Sequence, residues 1–305
     1  MIAVSFDTSN YTTSCAAFDG VQGENVSRLL DVKQGELGLR QSDALFSHVK
    51  RLPELSDRLF AHIDPSRICA VGVSTRPRAV EGSYMPCFLA GECQARVLAS
   101  ALHVPLHTFS HQQGHIAAVL WSAGRMDLLG KRFLAWHLSG GTTELLLVDS
   151  TSGEILCEKI GGTTDISAGQ LIDRTGQALK LPFPAGKAVD ELSASVDSGA
   201  YFRVKVDGFN FSLSGVENQV KAFLGSGATK EETAFFALRS VIGAVRKATS
   251  NARKEFALPV LFSGGVASNS MLRRLTADLD PVFGAPCYST DNALGVAVLT
   301  YLMEK

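Results

Sequence analysis

The stretches FDTSNYTTSCAAFDG, residues 6–20, and HLSGGTTELLLVDSTSG, residues 137–153, follow one plan. Each has an apolar strand that ends in a small polar turn, then a second strand that closes on an acidic residue and a tight turn. The first copy opens as IAVSFDTS; the second is led in by KRFLAW and followed by a third strand, GEILCEKIGG. Two copies of one hairpin plan, well over a hundred residues apart, imply a duplicated domain.

Around the copies, strands alternate with helices. The pattern predicts a helix over about 43–62, a strand ICAVGVST, a helix over FLAGECQARVLASAL, and a strand PLHTFS leading into a helix that carries two histidines. Beyond the second copy come helical segments around SAGQLIDRTGQALK and AVDELSASV, a hairpin at FRVKVDGFNFSLSG and a long helix over residues 230–257. The stretch PVLFSGGVASNSMLRRLTADL reads as strand, Gly-Gly turn and helix, and the last helix covers residues 292–305. This interleaving is an α/β class. No low-complexity linker divides it, and the boundary is expected near residue 107. Residues 1–107 plus 291–305 then form one lobe and 108–290 the other.

Bulk properties narrow the partners. The 305 residues allow one large or two medium domains. The net charge of -1 gives no global field for a polyanion, so any nucleic-acid site is a local patch. Six cysteines without a CxxC pair argue against a zinc ribbon or disulfide framework and suit buried reduced thiols. The opening MIAVSFDTS is too short and lacks the basic lead-in of a secretory leader. No stretch approaches the length of a membrane span. A cytoplasmic protein without a membrane partner is expected.

SHQQGH, Ser110 to His115, sets two histidines four residues apart, on one helical face. A metalloprotease helix has the same spacing but follows its first His with a glutamate base. Here that position is Gln112, which takes no proton. Two histidines make an incomplete metal shell, and an aspartate is the usual third ligand. Asp291 is a candidate, although helix capping explains it equally. His137, a polar residue in an apolar strand, reads either as a ligand or as a core histidine. Asp7, Asp165, Asp173 and Asp190 are the other acidic candidates; for Asp173, beside Arg174, a surface ion pair competes.

Three turns follow apolar strands: DTSNYTTS, LSGGTT and FSGGVASN. Glycines there let backbone N–H groups approach a phosphate, and a following helix adds positive charge at its N-terminus. That suits Ser263-Gly264-Gly265, with Asn269 just inside the helix. Together with the duplicated hairpin they resemble the phosphate clamp of the actin, sugar-kinase and heat-shock ATPase superfamily. That resemblance implies two lobes, each built on a ribonuclease-H-like domain, closing over a nucleotide.

SHQQGH, HLSGGTTEL, AGQLIDRTGQALKLPFPAG, FNFSLSGVENQV, FSGGVASNSMLR and YSTDNALGVA occur in the order and spacing of the TsaD family. Its members form threonylcarbamoyladenosine in tRNA and were formerly described as O-sialoglycoprotein endopeptidases. The resemblance implies a divalent metal, iron or zinc, on His111, His115 and Asp291, with His137 as a further ligand in some members. It implies an adenine nucleotide (threonylcarbamoyl-AMP, AMP or ATP) on Ser139, Gly140, Gly141 and Thr142, mostly in the second lobe. Asp173 would take the ribose, Gly186 and Asp190 would line the nucleotide site, and Asn269 would contact the nucleotide near Gly264 and Gly265. Asp7 is the one first-strand catalytic candidate. The implied reaction moves a threonylcarbamoyl group from threonylcarbamoyl-AMP to the N6 amine of the adenosine beside the anticodon of tRNAs that read codons beginning with A. Implied partners are tRNA, a smaller TsaB-like paralogue and a TsaE-like ATPase.

The chain departs from that family in the first lobe. Tyr11 and Thr12 stand where members carry acids, and Arg76-Pro77-Arg78 replaces a Gly-rich loop. The alternative reading is a diverged nucleotide-binding paralogue, regulatory or acting on another carbamoyl acceptor. A nucleotide-sensing subunit, a metallopeptidase (disfavoured by Gln112) and a sugar or acetate kinase are the rival classes. Basic candidates for tRNA are Arg76, Arg78, Lys131, Arg132, Arg273 and Arg274; without a basic face, partner subunits would supply much of the RNA contact.

Overall fold

The computed structural model describes residues 1–9, 11–31, 39–289 and 292–305. Asp291 falls outside the described residues. Contacts divide the chain into two units, Met1–Met126 with Thr290–Lys305, and Asp127–Ser289.

The first unit starts with the hairpin of β1 (Ile2–Ser9) and β2 (Thr12–Phe18), followed by β3 (Gly23–Leu29). The chain continues through α1 (Gln41–Phe60), β4 (Ile68–Arg76), α2 (Phe88–Leu102), β5 (Leu106–Ser110) and α3 (His111–Ser122). The sheet order is β3-β2-β1-β4-β5. The β1–β2–β3 meander is antiparallel, whereas β4 and β5 run parallel to β1. Phe6, Val71, Leu55 and Leu59 are fully buried in its core.

The second unit repeats this order. It contains β6 (Arg132–Leu138), β7 (Thr143–Asp149), β8 (Leu156–Thr163), α4 (Ala168–Ala178), α5 (Gly186–Ser193), β9 (Val206–Asp207) and β10 (Asn210–Phe211). Then come α6 (Ser214–Gly225), α7 (Lys230–Phe256), β11 (Val260–Ser263), α8 (Ser270–Thr276) and β12 (Pro281–Phe283). In the order β12-β11-β6-β7-β8-β10-β9, the segment β8-β7-β6-β11-β12 matches β3-β2-β1-β4-β5 of the first unit, with β11 parallel to β6. The duplicated hairpin is therefore the start of a duplicated sheet. Trp136 anchors the core of this unit, its indole donating to Thr249 on α7 at 2.8 Å.

Helix starts follow local chemistry. Ser110 and Gln113, Ser167 and Gln170, and Thr229 and Glu232 each form a reciprocal capping box at the starts of α3, α4 and α7. Gln113 of SHQQGH is thus a cap partner. The last helix, α9 (Leu294–Met303), belongs to the first unit. It crosses α3 where Gly295 meets Gly114; a Cβ on Gly295 would collide with the carbonyl oxygen of Gly114. This packing draws α3 into the first unit, so the division falls after Met126, where the sequence reading put it near residue 107.

One smaller expectation changes. Cys15 and Cys87 are buried, Cys69 and Cys157 half-buried, and Cys93 and Cys287 exposed, so the thiols are free but not uniformly internal. Among the described residues, no helix is long and apolar enough to cross a membrane.

His48 of α1 is completely buried, with its Nδ1 2.8 Å from the Thr13 hydroxyl. Burial pushes this imidazole down to about 4, against a smaller upward pull from the Asp7 charge. An unfolded histidine protonates near ~6.5. Between those values the unfolded chain binds the extra proton, so stability falls as pH falls. Denaturant unfolding at pH 7 and pH 4.5 should show a loss of about 2–3 kcal/mol from this site. His48→Gln should flatten the pH dependence by that amount; an unchanged slope would rule out His48 as the cause.

Candidate active site

In both units the parallel strands point their C-terminal ends toward the turns singled out in the sequence. Ligand crevices in open α/β sheets form at such ends. In the first unit, β1 ends beside Asp7, and β5 ends at Ser110, directly before His111.

His111 and His115 lie one helical turn apart on α3, with their Nε2 atoms 2.8 Å from each other. On the other side of His111, Nδ1 is 2.8 Å from Asp7 Oδ2. The carboxylate accepts from Nδ1–H, which leaves the lone pair of His111 on Nε2, facing His115. Asp7 is only 1% exposed and is itself held in place. Its Oδ1 accepts from the Ser9 N–H at 3.0 Å, and its Oδ2 from the Ser74 hydroxyl on β4. Asp7, the first-strand catalytic candidate of the sequence, thus sits behind His111 as a buried acceptor. Ser74 was missed; its only signal was a polar residue within the apolar strand ICAVGVST.

This arrangement fits a metal. Two imidazole nitrogens this close reach one ion at ~2.1 Å, and a carboxylate behind a ligating histidine is the usual outer support. Among the described residues no group of three or more His, Cys, Asp or Glu side chains is disposed to hold an ion. The described portion is the histidine pair. His137 lies half-buried on β6 of the second unit, between Glu144 of β7 and Ser263 of β11.

In the second unit, the turn Ser139–Thr142 joins β6 to β7. Its ends are tied by the Ser139 N–H to the Thr142 carbonyl at 2.8 Å, and by the Thr142 N–H to Ser139 Oγ at 3.0 Å. From below, Ser167 Oγ donates to the Gly140 carbonyl at 2.7 Å. Gly169 permits that approach, since a Cβ there would strike the backbone of Ser139 and Gly140. Above, Gly140 and Gly141 face open space: a Cβ on either would meet nothing within 4 Å. The turn is a fixed, open backbone cradle. Ser167 and Gly169 were not read as site residues, although S-x-x-Q at 167–170 is a legible cap.

Gly264 follows the neighbouring strand β11 with φ +88°, packed against the Leu138 carbonyl. The following helix starts slightly later than the sequence reading, which put Asn269 just inside it. A 3-10 turn spans Gly265–Ser268, and Asn269 is the N-cap of α8, accepting from the Leu272 N–H at 3.0 Å. Asp190 completes the cap: Oδ1 accepts from Asn269 Nδ2 and Ser270 Oγ, both at 2.9 Å, and Oδ2 from the Ser270 N–H at 2.9 Å.

Asp173 does not pair with Arg174, which binds Glu217 on α6 at 2.5 Å. Its Oδ1 accepts from the Ala185 N–H at 2.8 Å, just before Gly186 opens α5. Burial raises the Asp173 carboxyl, opposed by that hydrogen bond. Asp165 fastens the start of α6: it accepts from the Ser212 hydroxyl and from the N–H groups of Leu213 and Ser214. Burial would raise its carboxyl, but these hydrogen bonds outweigh it and hold the group well below the usual range.

The family model for TsaD, tRNA N6-adenosine threonylcarbamoyltransferase, matches residues 31–298. The chain belongs to the TsaD family. It is an enzyme, a transferase. A curated relative of that name from Carboxydothermus hydrogenoformans is 32% identical over 266 residues, covering 83% of this chain and 77% of its own. Solved structures extend the likeness to the two-lobed actin-like fold. Full-length HypF superposes with a TM-score of 0.62 at 16% identity over 99% of this chain, which spans 47% of HypF. The Acidaminococcus fermentans (R)-2-hydroxyglutaryl-CoA dehydratase component A gives 0.59 at 15% identity, covering 99% of this chain and 98% of that one. At these identities the superpositions speak for the fold alone.

Proposed function

We propose that this TsaD family member transfers the threonylcarbamoyl group of threonylcarbamoyl-AMP to the N6 amine of the adenosine beside the anticodon of tRNAs reading codons that begin with A. The observation that carries the reading is the Asp7–His111–His115 arrangement, a histidine pair with its lone pair set by a buried carboxylate.

His111 and His115 would hold a divalent metal, iron or zinc, with Asp291 as third ligand. Such an ion, when bound, polarises the carbamoyl carbonyl and orients the donor. The chain's own residues do the rest. The Ser139–Thr142 turn holds the phosphate of the donor by its backbone, and amides aimed at the leaving phosphate stabilise its developing charge. Asp173 binds the ribose. Asp190 and Asn269, already hydrogen-bonded to each other, hold the wall of the nucleotide site near Gly264 and Gly265, with Gly186 on the adjoining helix start. The acceptor is tRNA, and the assembly includes a TsaB-like paralogue and a TsaE-like ATPase.

Tyr11 and Thr12 favour a second reading, a nucleotide-binding paralogue without this transfer. Both residues have backbone duties: the Tyr11 carbonyl accepts from the Leu30 N–H at 2.7 Å, and Thr12 opens β2. The test is metal analysis of anaerobically purified protein and of a His111→Ala/His115→Ala double variant, alongside incorporation of labelled threonine into tRNA. About one ion per chain and tRNA labelling, both lost in the variant while AMP still binds, is the expected result. AMP binding with neither metal nor labelling in the parent protein would establish the second reading.

A further inference from the structure

A groove in the second unit, with a volume of about 410 Å³, runs between α7 and the segment Tyr201–Val206. Its walls carry Arg203, Arg239, Arg246 and Lys247, and among the described residues no acidic side chain lines it. Its floor is small: Ser240, Gly243 and Ser250, spaced along one face of α7. The wall is built in. Ser240, 1% exposed, accepts from the Phe202 N–H at 2.8 Å and donates to the Phe236 carbonyl at 2.6 Å, which ties the segment to the helix.

The charges are distributed unevenly. Asp278 takes Arg246 in a two-pronged pair. The Arg239 guanidinium carbon lies over the Tyr201 ring, 4.4 Å from its centroid. Arg203 and Lys247 are exposed and have no ion pair among the described residues. Three cations converge on one groove without a neutralising acid, beside the partly exposed rings of Tyr201 and Phe202. Cations alone suit any polyanion. Cations with accessible aromatic faces are the recipe for unpaired nucleotides, whose phosphates take the charge while the base stacks.

We infer that this groove binds an unpaired nucleotide of the acceptor tRNA, with its phosphate on Arg203, Arg239 and Lys247 and its base against Tyr201 or Phe202. The inference rests on the reading of tRNA as acceptor. Of the basic residues singled out in the sequence, Lys131 and Arg132 pair with Asp127 and Asp149, and Arg273 is packed on the Phe283 ring, bound to the carbonyls of Ala267 and Gly284.

The test measures binding of labelled substrate tRNA by anisotropy between 50 and 200 mM salt (roughly the range over which phosphate contacts are lost). The proteins are the parent, Arg203→Gln/Lys247→Gln and Tyr201→Ala. The double variant should bind at least about tenfold more weakly, with the dependence of log K on log salt shallower by about one to two. Tyr201→Ala should lose roughly tenfold in affinity with the salt slope unchanged, the mark of stacking. AMP binding should be unaffected in both. Parent-like affinity and slope in the double variant would overturn the groove and leave the acceptor reading intact. So would loss of inorganic phosphate binding with tRNA binding unchanged, which would make it a small-anion site. A parent that binds no tRNA at low salt would overturn the groove before any variant is compared, while the acceptor reading stands or falls with the labelled-threonine assay.

Discussion

Gly295→Val should destabilise the first unit by at least about 3 kcal/mol, at the upper end of what overpacking costs. A Cβ at Gly295 would meet the carbonyl oxygen of Gly114 and lie 2.7 Å from both the Gly114 carbonyl carbon and the Ala118 nitrogen. All three are backbone atoms of α3, so no rotamer relieves the clash and the helices must separate. Across the same crossing, a Cβ at Gly114 would meet chiefly a side-chain atom, Val296 Cγ2 at 2.9 Å. Gly114→Ala should therefore cost less, about 1–2 kcal/mol. Gly225→Ala, where a Cβ meets nothing within 4 Å, should stay within about 1 kcal/mol of the parent. Denaturant titration of the three variants checks the order. Equal losses at 295 and 114 would show that the crossing is not limited by backbone contact. Because α3 also carries His111 and His115, Gly295→Val should weaken metal retention even in protein that remains folded.

What the sequence disclosed and what it concealed follow from the range of the interactions. The two hairpins were legible because strand, turn and return strand are adjacent in sequence, and their likeness at residues 6–20 and 137–153 predicted a repeat that the strand orders realise. The histidine pair was legible for the same reason, being one helical turn. The placement of α3 was not: Gln112–Leu120 is buried throughout, so the helix shows no polar face to mark its side of the boundary. The tie between Asp7 and His111 spans 104 residues and exists only because β1, β4 and β5 lie side by side. Asp190 illustrates the converse. The family resemblance marks it as lining the nucleotide site, but nothing local shows that its carboxylate oxygens are engaged at the start of α8, 79 and 80 residues away. The basic groove was hidden because Arg203 and Lys247 come from separate segments, each with unremarkable local sequence. Of the paired basics that do stand out in sequence, Lys131, Arg132 and Arg273 are engaged by neighbouring acids or packing.

Asp7→Asn should weaken metal binding about 10–100-fold, the usual effect of removing a carboxylate behind a ligating histidine. The carboxylate accepts three hydrogen bonds, from Ser9 N–H, the Ser74 hydroxyl and His111 Nδ1–H, in a site with 1% exposure. An amide has one acceptor oxygen and two N–H donors. The Ser9 N–H can only donate, so it keeps the amide oxygen at the Oδ1 position, and the amide N–H then faces both Ser74 and His111. The Ser74 hydroxyl can turn to accept, but His111 must become the acceptor at Nδ1 and carry its proton on Nε2. That is the nitrogen facing His115, and a protonated Nε2 binds no ion. Titration with cobalt or zinc against a chelator reads the change directly, without any turnover. Ser74→Ala should give a smaller loss in the same direction, since it leaves the carboxylate and the imidazole tautomer in place. A base acting on the acceptor amine would behave otherwise: Asp7→Asn would then abolish transfer while metal affinity stayed at the parent value. Buried behind His111 and held on both oxygens, Asp7 is placed to orient a ligand, and its effect on transfer should scale with its effect on the metal.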